Sequence, residues 1–220
     1  MSERLTAQDR REQIMLCARD VFARLGYDAT HTAEIAQRAG VSERLLYKHF
    51  SGKRELFLAV AAEVARRVAE QYRQLAAANL SVHDGIHQLY AWRFAPQAPG
   101  AEQPLFFGRT YGPFDDPAMD AAMGHAYRVM AGGATAYFAS LAGRGLLRPG
   151  VDPKAAAWLL AAIIREHESM RLAYPRPELA ELERHIVRQF VDLIAAPGDQ
   201  DAPPPRHDPR PPAQAEGSTS

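Results

Sequence analysis

The residues of this chain with the clearest chemical potential lie on a short predicted helix that follows Ser42. This helix exposes Glu43, Arg44 and Lys48, while its opposite side is apolar. A guanidinium fork matches the O6 and N7 acceptors on the major-groove edge of guanine, and an apolar side chain can contact the methyl group of thymine. The pattern therefore predicts that Arg44 and Lys48 read bases and that Leu45 contacts a thymine.

A second short helix is predicted just before the first, on the other side of a glycine turn at residues 39–41. Thr32 is expected to cap this helix by accepting hydrogen bonds from backbone amides, and Ser42 to cap the next one. Two short helices joined by such a tight turn meet at a steep angle. The spacing predicts a helix-turn-helix over about residues 32–49.

The segment from Thr32 to Phe50, followed by Lys53 and Leu56, resembles the DNA-binding signature of TetR-type bacterial repressors. The shared features are the Thr at the start of the earlier short helix, the Ile-Ala pair, the Ala-Gly-Val-Ser turn, the Leu-Tyr-x-His-Phe end and the Lys that opens the long helix after it. The resemblance covers residues 10–56. Beyond them it implies architecture only, namely a helical domain that binds a ligand and forms a dimer.

The resemblance also implies which side chains contact DNA phosphates, namely Thr32, Tyr47, His49 and Lys53. Each can donate a hydrogen bond to a phosphate oxygen, and such contacts set register but carry little sequence information. The alternative is that Tyr47 and His49 only pack and cap within the DNA-binding segment. The full predicted DNA-binding set is Thr32, Ser42, Glu43, Arg44, Leu45, Tyr47, Lys48, His49 and Lys53.

Two positions depart from the common family pattern. Arg44 stands where a small residue, often Gly, is frequent, and Ala33 offers no long side chain from the helix that begins near Thr32. The operator sequence therefore cannot be taken over from relatives.

The remaining chain predicts an all-α fold, in which a three-helix N-terminal head with the helix-turn-helix is carried on a larger helical bundle. A long helix follows the break at residues 51–52, and apolar residues recur along it at three- and four-residue steps. Further helices are expected at about 82–95, 103–112, 117–142, 153–173 and 178–195. The predicted domains are 1–56, 57–195 and a disordered Pro-rich tail at 196–220.

The last two predicted helices carry apolar stripes. These stripes are Leu159, Leu160, Ile163, Ile164, His167 and Met170 on one helix, and Leu179, Leu182, Ile186, Phe190 and Leu193 on the other. Paired heads are needed to read half-sites one helical turn of DNA apart, which favours a homodimer with its seam on these helices. The alternative is that both stripes pack within one subunit.

An aromatic and Met-rich region lies between the long helix and this seam, and part of it is expected to line a pocket for a mostly apolar ligand. Such residues are as often ordinary core. The candidate lining residues are Trp92, Phe106, Phe107, Tyr111, Phe114, Met123, Tyr127 and Trp158.

Composition and motifs exclude several other classes of protein. Residues 1–54 contain ten Lys and Arg against seven Asp and Glu in a chain of formal net charge +0, so only the head is basic. Cys17 is the single cysteine and lies on an apolar stripe, which predicts an inert core residue. No secretory leader or membrane-spanning run is predicted, and we expect a cytoplasmic protein.

No arrangement for catalysis or for a cofactor stands out. His83 and His87 are four residues apart but lack a predictable third metal ligand, so exposure to solvent is the preferred interpretation. The run from His167 begins like a zinc-protease helix but has Arg171 where the second His must stand. We expect neither an enzyme nor a bound metal.

These inferences lead to two main hypotheses of function, while a third, an enzyme with a borrowed DNA-binding head, has little support from the motifs. The first is a repressor that a small-molecule ligand releases from DNA by changing the spacing of the two heads through the long helix. The second is a dimeric DNA-binding protein without an effector, whose body meets protein partners. A pocket filled by the protein's own side chains would favour the second.

Overall fold

The computed structural model describes residues 6–94, 106–107, 114–170 and 176–199. These residues form eight named helices and no strand, which confirms the all-α prediction. The helices are α1 (Ala7–Leu25), α2 (Thr32–Arg38), α3 (Glu43–His49), α4 (Lys53–Ala77), α5 (Val82–Phe94), α6 (Pro117–Gly143), α7 (Pro153–Met170) and α8 (Arg176–Ile194). None of the helices in the described ranges is long and apolar enough to cross a membrane.

The predicted helix bounds agree with the structure to within a few residues wherever the chain is described. The exception is the helix expected at 103–112, of which only Phe106 and Phe107 are described, and both are helical. Helix α7 is described as far as Met170, and residues 171–175 lie outside the described part.

Helices α1, α2 and α3, with the first turn of α4, form the head (residues 6–56). Helix α1 begins in a capping box, in which Thr6 accepts from the amide of Asp9 and the Asp9 carboxylate accepts from that of Thr6. It ends at Gly26, whose φ of 78° suits glycine. Cys17 is half-buried against the core, and burial raises the pKa of its thiol, in agreement with an inert residue.

Helix α4 belongs to both the head and the body, which we define as the described residues from 57 onward. Near its start Phe57 packs edge-on against Phe22 of α1, and near its end Tyr72 contacts the ring of Tyr137 on α6. Between these points α4 lies along α6. The two backbones come close at Gly133, where an added Cβ would stand 2.9 Å from Cα of Ala69, so only glycine fits there without a shift.

The end of α8 is tied back to the rest of the body. Leu147 and Ala195 form an isolated antiparallel bridge, and the buried carboxylate of Asp199 accepts hydrogen bonds from the amides of Val82 and His83 at the start of α5. A carboxylate at this position satisfies amides that lack a partner within the helix and opposes its dipole. Residues 196–199, which the prediction assigned to the tail, belong to this described structure, and residues 200–220 lie outside the described part.

Candidate nucleic-acid interface and ligand cavity

Helix α3 presents the polar face that the sequence predicts. Its first turn is capped by Ser42, whose hydroxyl accepts from the amide of Leu45 at 3.2 Å. Leu46 is fully buried beneath it, which fixes the rotation of the helix about its axis. Arg44 and Lys48 are therefore exposed on the opposite side, as base-reading residues must be.

Arg44 and Lys48 differ from other cations of the head in their surroundings. Within the described ranges no ion pair or hydrogen bond holds either side chain, whereas Arg24 pairs with Glu34 and Arg38 lies 3.7 Å from Asp20. The charge available to a polyanion is thus concentrated on α3.

Thr32 does not cap α2 as the sequence suggested. His31 occupies the N-cap position without a side-chain hydrogen bond, and Thr32 is the first helical residue. Its hydroxyl instead donates to a carboxylate oxygen of Glu43 at 3.0 Å and lies 2.9 Å from the hydroxyl of Tyr47. The three side chains form an exposed polar cluster that joins the start of α2 to α3.

Lys53, which is predicted to contact a DNA phosphate, makes several contacts within the head. Its ammonium donates to the backbone carbonyl oxygens of Tyr27 (2.9 Å), Asp28 (3.2 Å) and Thr30 (3.1 Å). It also lies 4.5 Å from the centroid of the Tyr27 ring, a cation–π distance. An ammonium has three N–H donors, so all are used within the head. In this structure, which contains no DNA, Lys53 fastens the start of α4 to the loop between α1 and α2, and its phosphate contact stays a prediction.

The other two predicted contact residues, Leu45 and His49, are half-buried at the edges of the α3 surface. Tyr47 is more open, at 49 % exposure. Together with Glu43, Arg44 and Lys48 they make up the exposed and half-buried residues of α3, and Thr32 joins this surface from the start of α2 through its contacts with Glu43 and Tyr47. The structure therefore brings all predicted DNA-binding residues except Lys53 to that face or, in the case of Ser42, to its cap.

A cluster of aromatic rings joins the head to the body. Phe106 packs at 5.3 Å from Phe57 and 6.4 Å from Phe22, measured between ring centroids. Phe114 lies 5.9 Å from Tyr27 and 5.7 Å from Phe57. Burial in this cluster, rather than at a ligand, accounts for two of the residues predicted to line a pocket.

The body contains an apolar cavity of about 330 Å³ enclosed by α4, α5, α6, α7 and Phe107. Four predicted residues line it, namely Trp92, Phe107, Tyr127 and Trp158. Phe106, Phe114 and Met123 do not, because they pack into the core beside it, and Tyr111 lies outside the described residues. The remaining lining residues are Val68, Tyr72, Leu89, Arg93, Met130, Ala131, Ala134, Ala157, Ala161, Ala162, Ile164 and Arg165.

Two arginines in that lining, Arg93 and Arg165, escaped the sequence interpretation. The sequence did contain a signal for them, because each is a cation among apolar neighbours on a predicted helix. An arginine on a helix is usually at the surface, however, so this signal did not indicate a cavity. Tyr72 beside them is buried, and desolvation raises its pKa to about 12, an effect that the charge of Arg93 partly offsets.

The predicted dimer stripes are divided between the interior and the surface. Leu160, Ile164 and Phe190 are buried within the subunit, as the single-subunit alternative required. Leu159, Leu182 and Leu193, in contrast, are 44 %, 43 % and 62 % exposed. Helices α7 and α8 thus pack on the body and still carry an uncovered apolar surface.

The histidines flagged in the sequence show no metal-binding geometry. The rings of His83 and His87 lie 4.4 Å apart between centroids, and no group of three metal-ligating side chains is found within the described ranges. His167 is buried and contacts Glu183, which links α7 to α8.

Residues 14–60 match the family model of the bacterial regulatory proteins of the tetR family, which confirms the resemblance seen in the sequence. Over 57 residues the chain is 53 % identical to the HTH-type transcriptional activator FasR of Mycolicibacterium smegmatis, and this covers 26 % of each protein. Over 61 residues it is 41 % identical to the HTH-type transcriptional repressor AcnR of Corynebacterium diphtheriae, covering 28 % of this chain and 32 % of AcnR. The chain thus spans about a third or less of the length of these relatives, both of which are named transcription regulators.

Solved structures resemble the chain over most of its length. A TetR-family regulator from Mesorhizobium loti superposes with a TM-score of 0.64 at 25 % identity, covering 88 % of this chain and 100 % of that one. FadR of Bacillus subtilis, solved in complex with stearoyl-CoA, gives a TM-score of 0.65 at 16 % identity and covers 83 % of this chain and 98 % of FadR. The helical body therefore has the same fold as the bodies of these regulators.

Proposed function

Because this chain carries the DNA-binding domain of the tetR family on a body of the matching helical fold, we propose that it is a homodimeric transcription regulator released from DNA by a mostly apolar small molecule. The observation that carries the proposal is the capped helix α3, which exposes two cations without partners in the described chain over a buried apolar side. A free cationic helix face of this kind suits the major groove.

Within this function the side chains of α3 divide by the part of DNA that they meet. Arg44 and Lys48 read base edges, and Leu45 contacts a thymine methyl group. Tyr47 and His49 donate to phosphates, and Thr32 does so once DNA displaces its hydrogen bond to Glu43. The Thr32–Glu43–Tyr47 cluster would then hold these groups in place while the protein is free of DNA.

The exposed leucines of α7 and α8 supply the dimer seam. Leu159, Leu182 and Leu193 are exposed apolar side chains of the kind that a second copy covers in a two-fold interface. The two-fold axis presents two α3 helices to successive major grooves, about 34 Å apart along one face of the duplex.

The ligand would act through α4. Val68 and Tyr72 of this helix line the cavity, while Lys53 and Phe57 at its other end hold the head. A ligand that prefers one tilt of α4 would shift the population toward one head spacing. An open cavity supports this over the effector-independent alternative, which needs a filled body. FadR, which has the same fold, was solved in complex with stearoyl-CoA, so a regulator of this fold can bind a ligand that contains a long apolar chain.

The direction of regulation and the location of the protein belong to the same proposal. Release by ligand makes the DNA-bound, ligand-free state the repressing one, as the name of AcnR indicates for that relative, whereas FasR is named an activator. A regulator that meets bacterial operator DNA acts in the cytoplasm.

The test is selection of bound duplexes from a random pool, followed by affinity measurements at several salt concentrations with competitor DNA present. We expect a two-fold symmetric site bound at least a thousandfold more tightly than a scrambled duplex. Arg44→Ala should lose roughly tenfold discrimination at one position of each half-site. Arg128→Ala in the body is the matched control. Equal affinity for selected and scrambled DNA would contradict the proposal.

A further inference from the structure

Two of the aromatic rings that line the ligand cavity lack the ring partners that the others have. Phe107 and Tyr127 pack against each other at 5.1 Å between ring centroids, and Tyr72 contacts a tyrosine ring of α6. Trp92 on α5 and Trp158 on α7 also line the cavity, but within the described ranges neither indole makes a ring contact or a hydrogen bond. Both indoles are therefore available to an occupant of the cavity.

The two indoles lie at different depths. Trp158 is 59 % exposed, and Ala161 and Ala162 on the same side of α7 are exposed as well, whereas Trp92 is half-buried. The cavity therefore meets solvent along α7, with Trp158 at its mouth and Trp92 further in. An occupant that covers the exposed indole removes a large apolar ring from water, which is favourable.

Small side chains keep the cavity open between the neighbouring helices α6 and α7. Protein interiors are normally packed without voids of this size, and a leucine in place of any of these small residues would fill part of the space. A gap bounded by methyl groups has few protrusions, so a flat molecule can lie against its walls. The alanines that line it are Ala131 and Ala134 on α6 and Ala157, Ala161 and Ala162 on α7.

An indole and a second aromatic ring attract each other beyond what their buried area contributes. The face of an aromatic ring is negative and its edge is positive, so two rings pack in an offset stack or edge to face. A saturated ring with the same carbon skeleton is puckered and lacks this charge distribution. Two indoles without partners in the described chain therefore favour an aromatic occupant over a saturated one of the same size.

We propose that the cavity selects a planar aromatic molecule, whose rings lie along the alanines of α6 and α7 and contact Trp92 and Trp158. This inference rests on the proposed ligand response and narrows it to one class of effector. The volume of about 330 Å³ is at the low end of the range of about 300–1,000 Å³ for ligand sites, so a molecule of about two or three fused rings fits best.

The test compares two probes that share one carbon skeleton and one hydroxyl group, namely β-naphthol and decahydro-β-naphthol. Both are uncharged at pH 7, so the comparison isolates the aromatic ring. We would titrate each into the full-length protein and measure its affinity by isothermal calorimetry. Because contacts with two indoles add to burial, β-naphthol is expected to bind about tenfold or more tightly than its saturated counterpart.

Variants assign the preference to the tryptophans. Trp92→Leu and Trp158→Leu should each lower the ratio of the two affinities several-fold, because leucine keeps an apolar contact but has no ring. Trp158→Phe should retain most of the ratio. His87→Leu is the matched control, because it removes an exposed ring of α5 that does not line the cavity, and should leave the ratio within about twofold of wild type. If Trp92→Leu fails to fold, as judged by circular dichroism, the exposed Trp158 still provides the test.

Three outcomes would overturn the inference. The first is decahydro-β-naphthol binding as tightly as β-naphthol, or neither probe binding. The second is a preference for β-naphthol that survives both leucine substitutions. The third is a monomer of Trp158→Leu in sedimentation velocity, which would place this indole in the dimer seam.

Failure of the proposed function would look different. If β-naphthol binds with the expected preference but leaves the affinity for the selected operator DNA unchanged, release by ligand is contradicted, while the selection of an aromatic occupant is supported.

Discussion

Replacing Lys53 by Met tests whether this residue fastens the head or contacts DNA. The change keeps the length of the side chain but removes three hydrogen bonds to the carbonyl oxygens of Tyr27, Asp28 and Thr30. Because Lys53 is half-buried, we assign about 0.5–1 kcal/mol to each bond. The lost contact with the Tyr27 ring adds about 0.5–1 kcal/mol. The expected destabilisation is about 2–4 kcal/mol.

The assay is urea and thermal unfolding followed by circular dichroism at fixed protein concentration. For a chain of this size each 1 kcal/mol lowers Tm by about 2–4 °C, so Lys53→Met should lower Tm by roughly 5–15 °C. Lys48→Met is the matched control, since it removes one exposed cation from the same head without a partner and should change the free energy of unfolding by less than about 0.5 kcal/mol.

The salt dependence of DNA binding decides whether Lys53 also contacts a DNA phosphate. A lysine that neutralises a phosphate contributes about 0.9 to the slope of log affinity against log salt concentration. We expect Lys53→Met to leave this slope unchanged once the protein is folded. Unaltered unfolding midpoints together with a slope lowered by about one would refute the reasoning and restore Lys53 as a phosphate contact.

Three further perturbations test other parts of the structure. Leu193→Glu should shift the protein from dimer to monomer in analytical ultracentrifugation, whereas Leu16→Glu on the exposed side of α1 should not; a dimer in both would move the seam elsewhere. The hydrogen bond from Arg54 holds the pKa of Asp116 below its ordinary 3.8, so the pair stabilises the protein above about pH 4 and its contribution is lost as pH falls through the lowered pKa. Asp116→Asn should therefore lower Tm at pH 7 and have less effect below pH 3.8; the same loss at every pH would contradict this. Phe106→Leu removes ring contacts with Phe22, Phe57 and Phe107 worth about 0.5–1.5 kcal/mol each, and should lower the free energy of unfolding measured in urea; an unchanged free energy of unfolding would contradict the packing described for this ring.

Local signals in the sequence were sufficient for the helices and for the α3 surface. The apolar period, the Ser42 cap and the glycine turn act over a few residues, so they fix where α2 and α3 begin and which side of α3 is exposed. Thr32 shows where this reasoning ends. Its partners Glu43 and Tyr47 are eleven and fifteen residues away, and a bond to them competes with the local cap that composition alone favours.

The candidate cavity was only half predictable for the same reason. Aromatic composition identifies residues that will be buried, but whether a ring meets a cavity or another ring depends on tertiary packing. Phe106 and Phe107 are neighbours in sequence, yet one joins the head–body cluster and the other lines the cavity. Arg93 and Arg165 lie 72 positions apart along the chain and become parts of one wall only in the folded body.

The close approach of Gly133 to Ala69 has a mechanical consequence. If α4 turns as a rigid rod about this contact, the arm to Tyr72 is about 4.5 Å and the arm to Lys53 about 24 Å at 1.5 Å per residue. The displacement is then amplified about fivefold, so a shift of about 0.5 Å at the cavity moves the start of α4 by about 2.5 Å. The position of one glycine on α6 would then set the gain between occupancy of the cavity and movement of the head.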